Sequence, residues 1–219
     1  MNRLATAAFC AAVLFVGSLY ARARFHRDSG GPAPGELVVI ESTPKHMVTK
    51  EMADASRAMV DRPAPPFVAS ALDGDQVELA ERLRRGPVIL TFIKAGCPCS
   101  EAAQPFFNQL HAAYPGAAFL GVVDVAGGPA QRWAERLRIA YPMLTDPDLK
   151  IIRAYGVENS AYVVVIDPRG RIIRHWPGFS TGMLREFGAT LAALTGKAEQ
   201  QLDVSEAPDQ EYSGCPFDL

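Results

Sequence analysis

The chain has 219 residues and a mass of 23.6 kDa, which suits one domain of ordinary size plus extra segments and excludes a multi-domain machine. Its 48% hydrophobic and 21% charged residues match folded globular proteins, so wholesale disorder is excluded as well. A formal net charge of -2 supplies no basic field for phosphate backbones and argues against a nucleic-acid partner, and four cysteines are too few for a disulfide-stapled scaffold.

In chain order, the first feature is an uncharged run from Leu4 to Ala21, which makes segment 1–24 a transmembrane anchor or a signal peptide. Ala21-Arg22-Ala23 offers a small-x-small cleavage site. Arg22, Arg24 and Arg27 outnumber Arg3 and, by charge bias alone, favour a cytoplasmic C-terminal domain. Cys10 sits in the run as a small apolar residue. Residues 25–60 read as a linker with little structure of its own, apart from a helical-looking patch at Lys50 to Met59.

The folded unit is expected over residues 61–196. Phe67-Val68-Ala69 and Gln76 to Leu79 flank a turn at Leu72-Asp73-Gly74-Asp75 and predict a hairpin. Pro87 to Lys94 is a continuous apolar run, the mark of a strand buried on both faces. Helical spacing follows from Ser100 to Tyr114, with Pro105 inside it. A second buried strand is predicted over Ala117 to Val125, then helices over Pro129 to Ala140 and Pro147 to Tyr155, the latter with Asp146 as N-cap. Strands at Ala161 to Ile166 and Ile172 to His175 join through a Pro-Gly turn, and a helix over Thr181 to Leu194 closes on Gly196. This order predicts an α/β fold with a mixed central sheet flanked by helices. Residues 197–219 form the C-terminal tail; from Glu199 on it holds six acidic residues and no basic one, and reads as mobile.

Gly96-Cys97-Pro98-Cys99-Ser100 falls where the first buried strand ends and the first long helix begins, the sheet edge at which α/β folds bind ligands. Unpaired N–H groups and partial positive charge at a helix start favour thiolate over thiol, so Cys97 and Cys99 are candidate reactive thiols. His26, His46, His111 and His175 show no metal-ligand spacing, so no metal and no cofactor is assigned. They are read as solvated or core residues, and Trp133 and Trp176 as packing residues.

Several motifs occur together in one register: Asp61 to Phe67, Leu72-Asp73-Gly74 with Val77-x-Leu79, the strand ending at Cys97, Leu144 to Asp148, Tyr155-Gly156-Val157, and Val165 to Gly170. In these, residues 61–196 resemble the AhpC/TSA and TlpA-like redoxins of the thioredoxin superfamily. The resemblance implies a thioredoxin-like fold, thiol-disulfide or peroxide chemistry, and a membrane tether with the domain on the exported side, periplasmic or extracellular. Pro105 resembles the helix proline of the disulfide-reductase branch, which puts Cys97 at that branch's first cysteine and Ser100 at its second. Counted by the peroxiredoxin pattern, Cys99 is the peroxidatic residue, but Gly96 stands where threonine belongs and no arginine lies near Ser160 and Ala161. Ala161 also replaces the branch's cis-proline, so the peptide bond before it is expected to be trans.

The first expectation is therefore a membrane-tethered thiol-disulfide oxidoreductase, with Cys97 attacking and Cys99 resolving. Gly96, Pro98, Ser100, Ser160 and Ala161 form the loops around them, and Cys215 in the tail is a further resolving candidate. The partners are a protein thiol or disulfide, or a peroxide, together with an unknown redox donor. A slow thiol peroxidase, a copper-handling module on the same scaffold and a redox-dead interaction domain are the alternatives.

Overall fold

The computed structural model describes residues 46–219. Segment 1–24, with Cys10, and the linker up to residue 45 lie outside the described residues. A two-residue strand, β1 (His46–Met47), leads into helix α1 (Lys50–Met59), whose N-cap Thr49 accepts the Met52 N–H at 3.3 Å. The hairpin follows as β2 (Val68–Ser70) and β3 (Gln76–Glu78), joined through Gly74 at φ 92°. A short α2 (Leu79–Leu83) leads to the central strand β4 (Val88–Ile93) and the long α3 (Pro98–Ala113). Then come β5 (Ala118–Val123), α4 (Gly128–Arg136), β6 (Met143–Thr145) and α5 (Lys150–Ala154). The chain continues through β7 (Val163–Ile166), β8 (Ile172–Trp176), α6 (Thr181–Thr195) and β9 (Tyr212–Ser213).

Five strands form the main sheet in the order β6-β5-β4-β7-β8. β4 runs parallel to β5 and antiparallel to β7, so the sheet is mixed as expected. Every residue of β4 is buried, and its side chains alternate between two cores as the pleat requires. Val88, Leu90 and Phe92 pack with Ile151, Ile152 and Tyr155, whereas Ile89 packs with Ala103, Phe107 and Leu110 of α3 and Leu184 and Phe187 of α6.

Four expectations need correction. Residues 46–60 belong to the folded unit rather than to a linker: Met52 and Met59 pack on the core, and buried Ser56 hydrogen-bonds His175. α5 starts at Lys150 rather than Pro147, because Leu149 turns to φ 57°; Asp146 still serves it, accepting the Lys150 and Ile152 N–H groups at 2.9 Å each. α4 stops at Arg136 rather than Ala140, with Arg138 at φ 52°. The short β6 and α2 were not expected.

The fourth correction concerns the tail, which is packed rather than mobile. Gln200 N–H bonds the Tyr114 hydroxyl at 2.9 Å, Gln109 and Asp203 exchange two hydrogen bonds, and Thr181 N–H bonds the Pro208 carbonyl at 2.8 Å. β9 pairs antiparallel with β1, and Phe217 is buried among the core residues. Tail composition suggested disorder, but a few apolar anchors, Leu202, Val204, Ala207 and Phe217, suffice where the backbone can come close. Two glycines allow that approach: a Cβ on Gly178 would lie 2.3 Å from the Tyr212 carbonyl oxygen, and one on Gly214 2.0 Å from Ser160 Oγ.

Candidate active site

β4 ends at Ile93, and the chain turns through Lys94, Ala95 and Gly96, the last at φ 79°, to bring Cys97 to the N-cap of α3. Pro98 occupies the first helical position, where its missing N–H leaves no bond unmade. The Cys97 N–H closes the turn on the Lys94 carbonyl at 3.1 Å, and the Ala95 N–H is held by Asp124 Oδ1 at 3.0 Å from the end of β5.

Donors converge on the Cys97 sulfur. The Ser160 hydroxyl lies at 3.3 Å and the Cys215 backbone N–H at 3.1 Å, and the Cys99 and Cys215 thiols and the Ser100 N–H add to the stabilisation of its ionised form. Cys97 is 2% and Cys99 1% exposed. The Cys99 hydrogen bond is the largest influence and lowers the Cys97 pKa; burial opposes it; the Cys215, Ser160 and Ser100 bonds reinforce it, and the result is about 3. Cys97 is thus a thiolate at neutral pH. Burial, with the hydrogen bond to Cys97 and its negative charge, pushes the Cys215 thiol up to about 11. The site therefore pairs one ionised sulfur with one that holds its proton.

Ser160 and Ala161 face the cysteines. Ala161 adopts φ 62°, unusual for a residue with a side chain, and its N–H bonds the Phe92 carbonyl at 2.7 Å. No peptide bond among the described residues is cis, so the bond before Ala161 is trans as expected. His175 and His111 pack against aromatic rings and Trp176 packs at a tilt against Phe187, in accord with packing roles. Among the described residues no group of three or more histidine, cysteine or acidic side chains is arranged to hold a metal ion.

The structure brings Cys97, Cys99, Ser100, Ser160 and Cys215 together and adds residues that sequence reasoning missed. Lys94 Nζ donates to the Pro216 carbonyl at 2.7 Å and pairs with Asp218 at 3.1 Å. Asp124, half-buried beside the turn, has its pKa raised chiefly by burial, against the opposing pull of the Ala95 N–H and Lys94. His46 Nδ1 lies 4.0 Å from the Cys99 sulfur. The position of Asp124 at the end of a buried strand was its only signal; Lys94, His46 and Asp218 carried none.

Residues 60–175 match the model of the AhpC/TSA family. The chain is 30% identical over 139 residues to the thiol-disulfide oxidoreductase ResA of Halalkalibacterium halodurans, covering 62% of this chain and 78% of that protein. A secreted Mycobacterium tuberculosis disulfide oxidoreductase, homologous to E. coli DsbE, superposes with a TM-score of 0.52 at 26% identity, over 58% of this chain and 96% of that one. A candidate DsbE-type thiol:disulfide interchange protein from Chlorobium tepidum superposes with a TM-score of 0.58 at 24% identity, over 63% and 98%, and speaks for the thioredoxin-like fold alone.

Proposed function

The chain belongs to the AhpC/TSA family of the thioredoxin superfamily, and from that premise we propose that it is a thiol-disulfide oxidoreductase whose attacking group is the Cys97 thiolate. The observation that carries the assignment is the convergence of donors on the Cys97 sulfur, which keeps it ionised at neutral pH.

The Cys97 thiolate attacks one sulfur of a substrate disulfide; a mixed disulfide forms, and the other substrate sulfur leaves as a thiolate and takes a proton from water. Cys99 then loses its proton to solvent and attacks the Cys97 sulfur. The second substrate sulfur leaves and is protonated, so the substrate is reduced by two electrons and a Cys97-Cys99 disulfide remains. An external dithiol donor restores the pair. Cys215 is the competing resolving thiol. Once Cys97 is in a mixed disulfide its charge is gone, and with it part of what holds the Cys215 proton.

The proposed substrates are protein thiols and disulfides. Segment 1–24 is the proposed tether, with the redox domain on the exported side; the uncharged run from Leu4 to Ala21 supports the tether, and the secreted Mycobacterium relative supports export. Among the described residues no helix is long and apolar enough to cross a membrane.

The test is a reaction of the reduced full chain with a peptide disulfide and, separately, with hydrogen peroxide, each followed by mass spectrometry. Exchange that disappears in Cys97→Ser, with peroxide consumed no faster than by an ordinary thiol, is the expected outcome. Rapid peroxide consumption would move the assignment to a peroxidase.

A further inference from the structure

We propose that the C-terminal strap from Glu211 to Phe217 is an internal occupant of the substrate groove. On this inference the groove takes an extended peptide whose reacting cysteine follows a glycine, and such a peptide must displace the strap. The inference rests on the oxidoreductase assignment and adds the substrate class and a means of restraint.

The strap binds residues 158–160 as one antiparallel strand binds another. Gly214 N–H bonds the Ser160 carbonyl at 2.7 Å, Ser160 N–H bonds the Cys215 carbonyl at 2.9 Å, and Phe217 N–H bonds the Glu158 carbonyl at 2.8 Å. Asn159 Nδ2 adds a bond to the Gly214 carbonyl at 2.8 Å. Residues 158–160 lie outside every strand of the main sheet, so without a partner segment these backbone groups would turn to water. Such a surface accepts any extended chain through its backbone and selects by side chain.

Selection is severe at one position. A Cβ on Gly214 would lie 2.0 Å from Ser160 Oγ and 2.6 Å from the Ser160 carbonyl carbon and oxygen, so only glycine fits there. The next residue, Cys215, places its N–H 3.1 Å from the Cys97 sulfur. With the strap down, Cys97 is too buried for a disulfide to approach. The bound tripeptide Gly214-Cys215-Pro216 also repeats the sequence of the site itself, Gly96-Cys97-Pro98.

The hold is light enough to be exchanged. β1 and β9 are two residues each, and in the Lys94–Asp218 pair the Lys94 side chain is part-buried but the Asp218 side chain is 94% exposed, so the pair contributes about 1 kcal/mol or less. Phe217 is the strap's apolar anchor in the core, and Ser213 and Gly214 are buried beside the groove.

The test uses the reduced full chain and the peptide Ser-Gly-Cys-Pro-Phe, its cysteine carried as a mixed disulfide with thionitrobenzoate, beside a copy with alanine for glycine. Release of thionitrobenzoate and iodoacetamide labelling of Cys97 are timed at pH 8, where Cys97 stays ionised. The strap is loosened by Gly214→Ala and, independently, by Asp218→Lys, with near-UV circular dichroism confirming the fold. Both rates are expected to rise about tenfold or more in the loosened variants, and the glycine peptide to react at least tenfold faster than the alanine peptide. Equal rates in the wild type and in a folded loosened variant, or equal rates for the two peptides, overturn the inference. If neither the wild type nor the variants exceed a Cys97→Ser control, the oxidoreductase assignment itself fails.

Discussion

The backbone N–H of Cys215 points at the sulfur of Cys97 from 3.1 Å, across 118 residues of sequence. One contact thereby joins the start of α3 to the C-terminal strap, and the ionisation of Cys97 depends on a segment outside the matched family region.

Alkylation of Cys97 should be nearly independent of pH from about 5 to 8, where an ordinary thiol gains about tenfold per unit. Ser160→Ala removes a donor from the sulfur and should move the Cys97 titration upward. The folded pKa of about 3 lies below the ordinary 9.0, so the folded state binds fewer protons than the unfolded state between them. Stability of the reduced protein from this group is full above pH 9 and is lost as pH falls toward 3. Thermal melts of the reduced protein against Cys97→Ser across that window check the sign.

Cys215 should label slowly at pH 7, because its thiol titrates near 11. Cys97→Ser removes the neighbouring negative charge and should bring the Cys215 titration down, a shift readable by pH-dependent labelling. In Cys99→Ser a mixed disulfide at Cys97 should either persist or resolve through Cys215, and a Cys99→Ser, Cys215→Ser double variant should trap it.

Gly178→Ala puts a Cβ 2.3 Å from the Tyr212 carbonyl oxygen, which must move. The expected loss of stability is about 1–3 kcal/mol by denaturant titration, as for other overpacked sites. Amide exchange at Phe179 and Tyr212, which trade backbone bonds of 2.9 and 3.0 Å, should speed up with it.

His175 docks α1: its Nε2–H donates to the Tyr155 carbonyl at 3.0 Å, and its Nδ1 accepts the Ser56 hydroxyl at 2.9 Å. Burial lowers its pKa below 6.5, the same direction as for His111. The unfolded chain therefore takes up protons first on acidification, and stability from these groups, full above pH 6.5, should fall as pH drops below it. Ser56→Ala strands Nδ1 without its donor and should destabilise by about 1–3 kcal/mol.

Ala161 holds φ 62°, a conformation that costs a residue with a Cβ about 1–2 kcal/mol. Ala161→Gly removes the Cβ but frees the unfolded chain, so a net gain of about 0.5–1 kcal/mol in denaturant titration is expected.

The sequence by itself determined the mixed sheet, the buried central strand and the place of Cys97 at the start of α3. Local pattern suffices for these: β4 is apolar throughout because both its faces are covered, and Gly96 and Pro98 mark the turn and the first helical position through their own backbone limits. Even the trans bond before Ala161 followed from residue type. Only the tertiary structure decided which groups ionise Cys97 and what covers it. Ser160 and Cys215 are 63 and 118 residues away, and nothing in their neighbourhoods marks them as donors to a sulfur. Tail composition pointed to disorder, whereas its docking turns on close backbone approach at Gly178 and Gly214 and on burial of one phenylalanine. Composition averages over a segment; docking is set by a few long-range contacts whose geometry exists only once the sheet has formed.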